Sequence, residues 1–161
     1  MKRDAKLFIK AIRGKMISII IPVYNEEKSV AGTIDRIRKA MNRERQQYEI
    51  IAVNDGSTDS TGKILKSAAV KVITHPYNLG YGAALKTGLK NAKGEWILIT
   101  DADGTYPIES IPELIKHKDQ YDMVVVARTG KNFGMRTPAK AVLGLLANIL
   151  TGRKIPDLNS G

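Results

Sequence analysis

Trp96-Ile97-Leu98-Ile99-Thr100-Asp101-Ala102-Asp103-Gly104 is the stretch of this chain that decides the fold. The apolar run at its start predicts a β-strand, and two carboxylates follow where that strand ends. Ligands of parallel α/β sheets bind beyond the carboxyl ends of the strands. Mg²⁺ and Mn²⁺ take oxygen ligands from one or two carboxylates, water and substrate phosphate. The stretch therefore predicts a cation site that bridges a diphosphate; the alternative is that the carboxylates only cap the next helix.

The segments around this stretch alternate between strand-like and helix-like patterns. Residues 17–21 are β-branched and almost entirely apolar, as in a strand buried on both faces, and Pro22 is expected to end that strand. Further strands are predicted at 48–53, 70–74, 95–100 and 123–126. Helices are predicted at 27–41, from Asp59 or Ser60 to Leu65, at 79–92 and at 108–117. This order predicts an α/β protein with a mostly parallel, Rossmann-like sheet flanked by helices.

Each of the first four predicted strands is followed by a polar loop. These loops are residues 22–27, 54–59, 75–80 and 101–103. Because the strands are expected to be parallel, the four loops converge at one edge of the sheet. One such loop is an ordinary turn, since Asp-Gly-Ser-Thr is a good turn and cap sequence. Four of them at one edge predict a polar binding site.

These loops offer groups that suit a nucleotide. Tyr24 presents a flat ring to a base, and Asp55 accepts an N–H from a pyrimidine or a purine. Gly80 and Gly82 let the backbone approach a ligand closely. Lys86, one helical turn beyond Gly82, either reaches a phosphate or is simply solvated. Two rival motifs are excluded, because the third glycine of the dinucleotide fingerprint and the Gly-Lys-Ser/Thr of a P-loop are both missing.

The composition excludes several kinds of site. The chain has 161 residues, enough for one domain with a core, and it has no cysteine, which excludes disulfides, thiolate nucleophiles and cysteine-based zinc sites. Its two histidines, His75 and His117, stand far apart, which argues against a histidine-rich metal site. No apolar run approaches the ~20 residues that span a bilayer, and the N-terminal apolar segment is too short for a signal peptide. A cytoplasmic location is the expectation.

The net charge of +10 is concentrated at the two ends of the chain. Residues 1–15 and residues 126–161 each carry six basic side chains against one acidic side chain. This distribution suits an anionic membrane surface or an anionic acceptor; a merely soluble basic surface is the alternative. No nucleic-acid partner is predicted, because few aromatic residues and no nucleic-acid motif accompany the basic ends. The apolar segment 138–150 is either a core helix or a helix lying on a membrane interface.

Four motifs in this order and spacing resemble those of the family 2 glycosyltransferases, which have the GT-A fold. They are Ile21-Pro22-Val23-Tyr24-Asn25-Glu26-Glu27, Val53-Asn54-Asp55-Gly56-Ser57-Thr58-Asp59, Asn78-Leu79-Gly80-Tyr81-Gly82-Ala83-Ala84-Leu85 and Asp101-Ala102-Asp103. The closing Asp157-Leu158-Asn159-Ser160-Gly161 resembles a further family motif. The chain looks most like the dolichyl/polyprenyl-phosphate sugar synthases. The resemblance implies a GT-A domain over 16–161 after a basic extension at 1–15, with the C-terminal part of the family fold missing.

The resemblance assigns a donor site to the strand ends. Pro22, Tyr24, Glu26 and Asp55 are implied to hold the nucleoside, and Asp101 is implied to orient the donor sugar. Gly80 and Lys86 complete the predicted donor site.

The resemblance also assigns the metal and acceptor sites. Asp103 is implied to bind Mg²⁺ or Mn²⁺, with Asp101 as a further candidate ligand. Lipid-phosphate synthases often continue the motif with Leu-Gln, whereas Gly104-Thr105 stands here, so Thr105 is the candidate to replace the Gln. The predicted catalytic residues are Asp101, Asp103 and Arg128. Arg128 is implied to meet the diphosphate or the acceptor phosphate, and Arg136 and Ser160 are predicted at the acceptor side.

The implied function is inverting transfer of a hexosyl unit from a UDP- or GDP-linked sugar to a polyprenyl phosphate, peripherally on the cytoplasmic face of the membrane. A phosphate acceptor is already ionised near neutral pH and needs no general base, in keeping with the lack of an obvious catalytic histidine. Two alternatives stay open. One is transfer to a hydroxyl of a cell-envelope glycan or glycolipid, which would need a carboxylate base, and the other is a non-catalytic nucleotide-binding module.

Overall fold

A computed structural model describes residues 16–44 and 46–126 of the chain. The strands are β1 (Ile17–Val23), β2 (Tyr48–Asn54), β3 (Lys71–Thr74) and β4 (Trp96–Ile99). The helices are α1 (Val30–Met41), α2 (Thr61–Ser67), α3 (Tyr81–Asn91) and α4 (Ile111–Lys116), the last preceded by a 3₁₀ turn at Ile108–Ser110. The four strands form one parallel sheet in the order β3-β2-β1-β4. The prediction of a parallel sheet flanked by helices is confirmed.

The strand β1 lies at the centre of the sheet and is buried along its whole length. The prediction that Pro22 ends this strand is wrong, because β1 continues through Pro22 to Val23, pairing with Val53 and Asn54 of β2. On its other side β1 pairs with β4 only as far as Ile20. Proline lacks an N–H donor, and Pro22 lies beyond the point where β4 stops. The sheet therefore loses no inter-strand hydrogen bond at Pro22.

Both faces of the sheet carry helices. Alternate side chains of β1, namely Ile19, Ile21 and Val23, belong to the same buried cluster as the apolar face of α1. On the opposite face Ala84 of α3 packs with β2. Alternation along the pleat explains why a continuous apolar run such as β1 is buried on both sides.

The helix α3 approaches the sheet closely through a glycine. Gly88 is buried, and a Cβ at this position would press on the side chain of Ile20. Leu89, the next residue of α3, is 45% exposed. The close approach at Gly88 rotates the helix so that its small residues face the sheet.

Contacts divide the chain into two units, residues 1–118 and 119–161. Of the second unit the structure describes only 119–126, and the strand predicted at 123–126 is absent there. Met123 is 79% exposed and Val125 is 54% exposed. An apolar run becomes a β-strand only where a neighbour takes up its backbone hydrogen bonds. The pattern of apolar residues alone was insufficient evidence for a strand.

Several sequence-based predictions lie outside the described residues. They concern the basic segment 1–15, the apolar segment 138–150, and Arg128, Arg136 and Ser160. Within the described part of the chain, no helix is both long and apolar enough to cross a membrane.

Candidate functional site

The loops after β1 and β2 are hydrogen-bonded to each other beyond the ends of the strands. The Asn25 side chain accepts from the Thr58 N–H at 2.8 Å, and the Asn25 N–H donates to the Ser57 hydroxyl at 3.0 Å. Glu27 accepts from the Ser60 N–H at 2.9 Å. Asn25 adopts a left-handed backbone with a φ of 53°, which asparagine tolerates better than most residues. These bonds make the two loops one connected surface.

Asp55 joins the loop after β2 to the loop after β3. Its Oδ1 accepts from His75 Nδ1 at 2.6 Å and from the Leu79 N–H at 2.9 Å, and its Oδ2 accepts from the Gly80 N–H at 2.8 Å. Burial of this side chain disfavours its charged form, but the bonds from His75 and the two N–H groups prevail and lower the pKa of Asp55. Asp55 is therefore a buried carboxylate that stays ionised at neutral pH.

Gly56 allows these two loops to lie against each other. Its φ is 68°, and a Cβ here would lie 2.6 Å from the Asn78 backbone nitrogen and nearer still to the backbone of Tyr77. Gly80 also has a positive φ, of 90°, and it precedes the first turn of α3. Glycine is the residue that adopts such conformations without strain.

Tyr81, at the start of α3, connects the loop after β3 to the acidic loop after β4. Its hydroxyl donates to Asp101 Oδ1 at 3.2 Å. Burial, together with the charge of Asp101, raises the pKa of Tyr81 to about 12. The phenol thus stays protonated and remains a donor to Asp101 over the whole physiological pH range.

Asp103 has one oxygen engaged and one available. Its Oδ1 accepts from the Thr105 N–H at 2.9 Å and from the Thr105 hydroxyl at 2.8 Å, and no hydrogen bond from the described residues reaches Oδ2. The helix-capping alternative is wrong, because the next helical turn begins only at Ile108. The buried Thr100 hydroxyl, directly before Asp101, has no hydrogen-bond partner among the described residues. A carboxylate oxygen left available in this way can take a ligand from solvent.

Side chains of helix α1 form hydrogen bonds to the acidic loop after β4. The Thr33 hydroxyl donates to the Ala102 carbonyl at 3.0 Å. Arg36 donates to the Gly104 carbonyl at 3.2 Å and to the Tyr106 carbonyl at 3.3 Å, and its guanidinium forms a two-bond ion pair with Glu109 at 2.7 and 2.8 Å. Sequence reasoning missed Thr33 and Arg36. The only signal was their spacing of three residues, which places both on one face of a helix.

The remaining predicted donor residues have different surroundings. Tyr24 is 44% exposed at the end of β1, whereas Pro22 is buried within that strand. The Glu26 carboxylate accepts from the Ser29 hydroxyl, so its described role is in the turn before α1. Lys86 is exposed on α3, and no described residue pairs with it. The structure therefore leaves Tyr24 and Lys86 accessible to a ligand.

The acidic pair is not a complete metal cage. Within residues 16–44 and 46–126, no group of three or more His, Asp or Glu side chains is arranged to hold a metal ion. Mg²⁺ usually keeps several waters and binds through one or two carboxylates plus substrate phosphates. Asp101 and Asp103 fit that kind of open site, and they do not fit a closed structural one.

Comparison with known proteins decides the family. The model of glycosyl transferase family 2 matches residues 18–157 of the chain. This chain belongs to glycosyl transferase family 2. An undecaprenyl-phosphate 4-deoxy-4-formamido-L-arabinose transferase from Photorhabdus laumondii is 34% identical over 151 residues, which are 89% of this chain and 46% of the relative. The chain thus spans about half the length of the curated relative that it matches.

Solved structures agree with this assignment. A mannosyltransferase from Pyrobaculum calidifontis, in complex with GDP-Man and Mn²⁺, has a TM-score of 0.55 and 28% identity over 62% of this chain and 31% of that one. A glucosyl-3-phosphoglycerate synthase from Mycobacterium tuberculosis, in complex with Mn²⁺, UDP-glucose and phosphoglyceric acid, has a TM-score of 0.56 and 25% identity over 68% of this chain and 41% of that one. The predicted GT-A fold is confirmed.

Proposed function

We propose that this protein is a metal-dependent inverting glycosyltransferase that moves a hexosyl unit from a nucleoside diphosphate sugar to a polyprenyl phosphate. The observation that carries the proposal is the acidic pair Asp101 and Asp103, which lies at the end of β4 among four polar loops. Hydrogen bonds join the loops in succession, and α1 holds the last of them in place. Family membership supports the reaction class, and the curated relative that acts on undecaprenyl phosphate supports the acceptor.

Asp103 is the residue proposed to hold Mg²⁺ or Mn²⁺, with Asp101 and the Thr105 hydroxyl as its neighbours in the same loop. The available Oδ2 of Asp103 supports an ion and its ligands at this point. A bound divalent ion supplies Lewis-acid chemistry, since it neutralises the negative charge that develops on a leaving diphosphate. Tyr81 keeps the Asp101 carboxylate in a fixed position beside this site.

The donor nucleoside is proposed to lie between the loops after β1 and β2. Tyr24 offers an exposed ring for stacking. Asp55 offers an ionised acceptor to a base N–H, and Lys86, on the exposed side of α3, is available to the diphosphate. Pro22 and Glu26 support this pocket through the strand end and the turn that follows it. These roles rest on placement at the strand ends and on the family resemblance.

The acceptor phosphate is proposed to bind on the side of the chain that follows residue 126. A phosphate monoester is ionised at neutral pH and attacks without a general base, so the residues it needs are cations that position it. Arg128 and Arg136 are the proposed cations, and Ser160 is a further residue proposed to contact the acceptor. The basic residues at 1–15 and beyond 126 fit a peripheral location on the cytoplasmic face of a membrane with anionic lipids.

The test is transfer of radiolabelled sugar from UDP- and GDP-linked donors to a short polyprenyl phosphate, with Mn²⁺. The expected result is a metal-dependent product that is lost in Asp103→Asn and kept in Asp35→Asn, an exposed aspartate on α1 that serves as the matched control. The corresponding polyprenol, which lacks the phosphate, should give no product. Transfer only to saccharide hydroxyls would replace the proposed acceptor. Donor binding without any transfer would favour a non-catalytic nucleotide-binding module.

A further inference from the structure

The Asp55 carboxylate has most of its acceptor capacity already in use. A carboxylate offers about four acceptor positions, two on each oxygen. Oδ1 takes hydrogen bonds from His75 and from the Leu79 N–H, whereas Oδ2 takes a single one from the Gly80 N–H. Asp55 is 3% exposed. One acceptor position, on Oδ2, is filled by none of the described residues.

His75 determines which oxygen is filled. Its ring is 8% exposed and lies between Asp55 and helix α3, with Nδ1 at 2.6 Å from Asp55 Oδ1 and Nε2 at 2.9 Å from the Thr87 hydroxyl. An ionised carboxylate only accepts, so Nδ1 must be the donor to it. In the neutral ring Nε2 then accepts from Thr87. The imidazole is therefore fixed at both ends, and the His75 backbone N–H is bound to the Asn54 carbonyl at 2.9 Å.

We propose that His75, held by Thr87, is a positioning residue that leaves Asp55 one open acceptor position, which fits the single imide N–H of uracil and not the paired N–H donors of guanine. Uracil presents one N–H between two carbonyls. Guanine presents an N1–H and an amino group side by side, and both need an acceptor when they leave water. With Oδ1 occupied by His75, the second guanine donor stays unpaired. The inference rests on the proposed function, because it assumes that the donor base meets Asp55.

The likeness to solved structures leaves the base open, since one of those two glycosyltransferases holds GDP-Man and the other holds UDP-glucose. The proposed preference for uracil over guanine rests on hydrogen bonds of this chain alone. An unpaired buried donor weakens binding by roughly tenfold or more. Wild-type protein should therefore bind UDP at least tenfold more tightly than GDP.

The experiment is calorimetric titration with UDP and with GDP, both with Mn²⁺, on the wild type and on His75 variants. His75→Leu empties a position on Oδ1, which gives the second guanine donor an acceptor, so GDP affinity should rise about tenfold and the ratio of UDP to GDP affinity should approach one. His75→Asn keeps a donor near the Nδ1 position and should retain most of the preference. His117→Leu replaces the other histidine of the chain, far along the sequence, and should change neither affinity.

A loss of folding alone would lower both affinities and leave their ratio unchanged, so the ratio is the readout that tests the positioning role. If His75→Leu does not fold, Thr87→Val removes only the Nε2 partner and should lower the ratio by a smaller factor. Equal or tighter GDP binding by the wild type overturns the inference, as does an unchanged ratio in the folded His75 variants. Binding of neither nucleotide would instead refute the proposed donor site itself.

Discussion

The substitution Gly56→Ala tests whether the loops after β2 and β3 are held together as the structure shows. A Cβ at position 56 would lie 2.6 Å from the Asn78 backbone nitrogen and would also press on the backbone of Tyr77. Backbone atoms cannot rotate aside as the end of a flexible side chain can. The loop must therefore move as a whole, and the N–H groups of Leu79 and Gly80 move away from Asp55 with it.

The expected cost has two parts. Holding a non-glycine residue at a φ of 68° costs roughly 1–2 kcal/mol. Inserting a methyl group into closely packed surroundings typically costs about 1–3 kcal/mol. The free energy of unfolding should therefore fall by about 2–5 kcal/mol, and the affinity for nucleotide should fall with it, because the loop that orders Asp55 is displaced.

The assay is urea unfolding followed by circular dichroism, with Gly32→Ala as the matched control. Gly32 lies within α1, where an added Cβ meets nothing within 4 Å. The control should therefore gain roughly 0.5–1 kcal/mol, as alanine does over glycine inside a helix. If Gly56→Ala stays within 0.5 kcal/mol of the wild type while the control behaves as expected, the contact between the two loops is refuted.

Three further predictions concern the same framework. Gly88→Ala should lower the unfolding free energy by about 1–3 kcal/mol through overpacking against β1, and a gain in stability would contradict the close approach of α3. Tyr81→Phe should leave the tyrosine absorbance titration between pH 9 and 11 unchanged, because Tyr81 ionises only at about pH 12; loss of a titrating group in that range would show that its bond to Asp101 is absent. The bond from Arg36 lowers the pKa of Glu109 to about 2, so the stabilisation relative to Glu109→Gln should be complete above pH 4.5 and be lost as the pH falls towards 2. A difference that stays constant down to pH 2 would contradict the ion pair.

Much of the fold followed from local pattern. Apolar β-branched runs, polar loops at their ends and a helical period between them predicted the four described strands, the helices and the edge at which the polar loops lie. Where prediction failed, the outcome depended on a neighbour. Pro22 stays in β1 because β4 stops short of it, and the apolar run 123–126 forms no strand. The ends of strands are determined by pairing across the sheet. A local sequence pattern carries no information about that pairing.

The candidate site, like the fold, was predicted only in part from the sequence. Asp55, Asp101 and Asp103 were predicted as site residues because carboxylates stand directly after apolar strands. Arg36 was missed because its partners, Gly104 and Glu109, are distant in sequence. The sequence of a helix does not indicate which loop its side chains will contact. Spacing indicates which face a residue occupies, whereas its partner becomes visible only in the folded chain.

Metal-dependent nucleotide binding is the direct test of a donor site at Asp103. Wild-type protein and Asp103→Ala would be titrated with UDP and GDP in a calorimeter, each with Mn²⁺ and with EDTA, after circular dichroism has shown that both are folded. The account predicts that the wild type binds one of the nucleotides more tightly with Mn²⁺, and that Asp103→Ala binds it equally weakly with Mn²⁺ and with EDTA. Binding that ignores the metal, or that survives unchanged in Asp103→Ala, would contradict a donor site built on the acidic loop after β4.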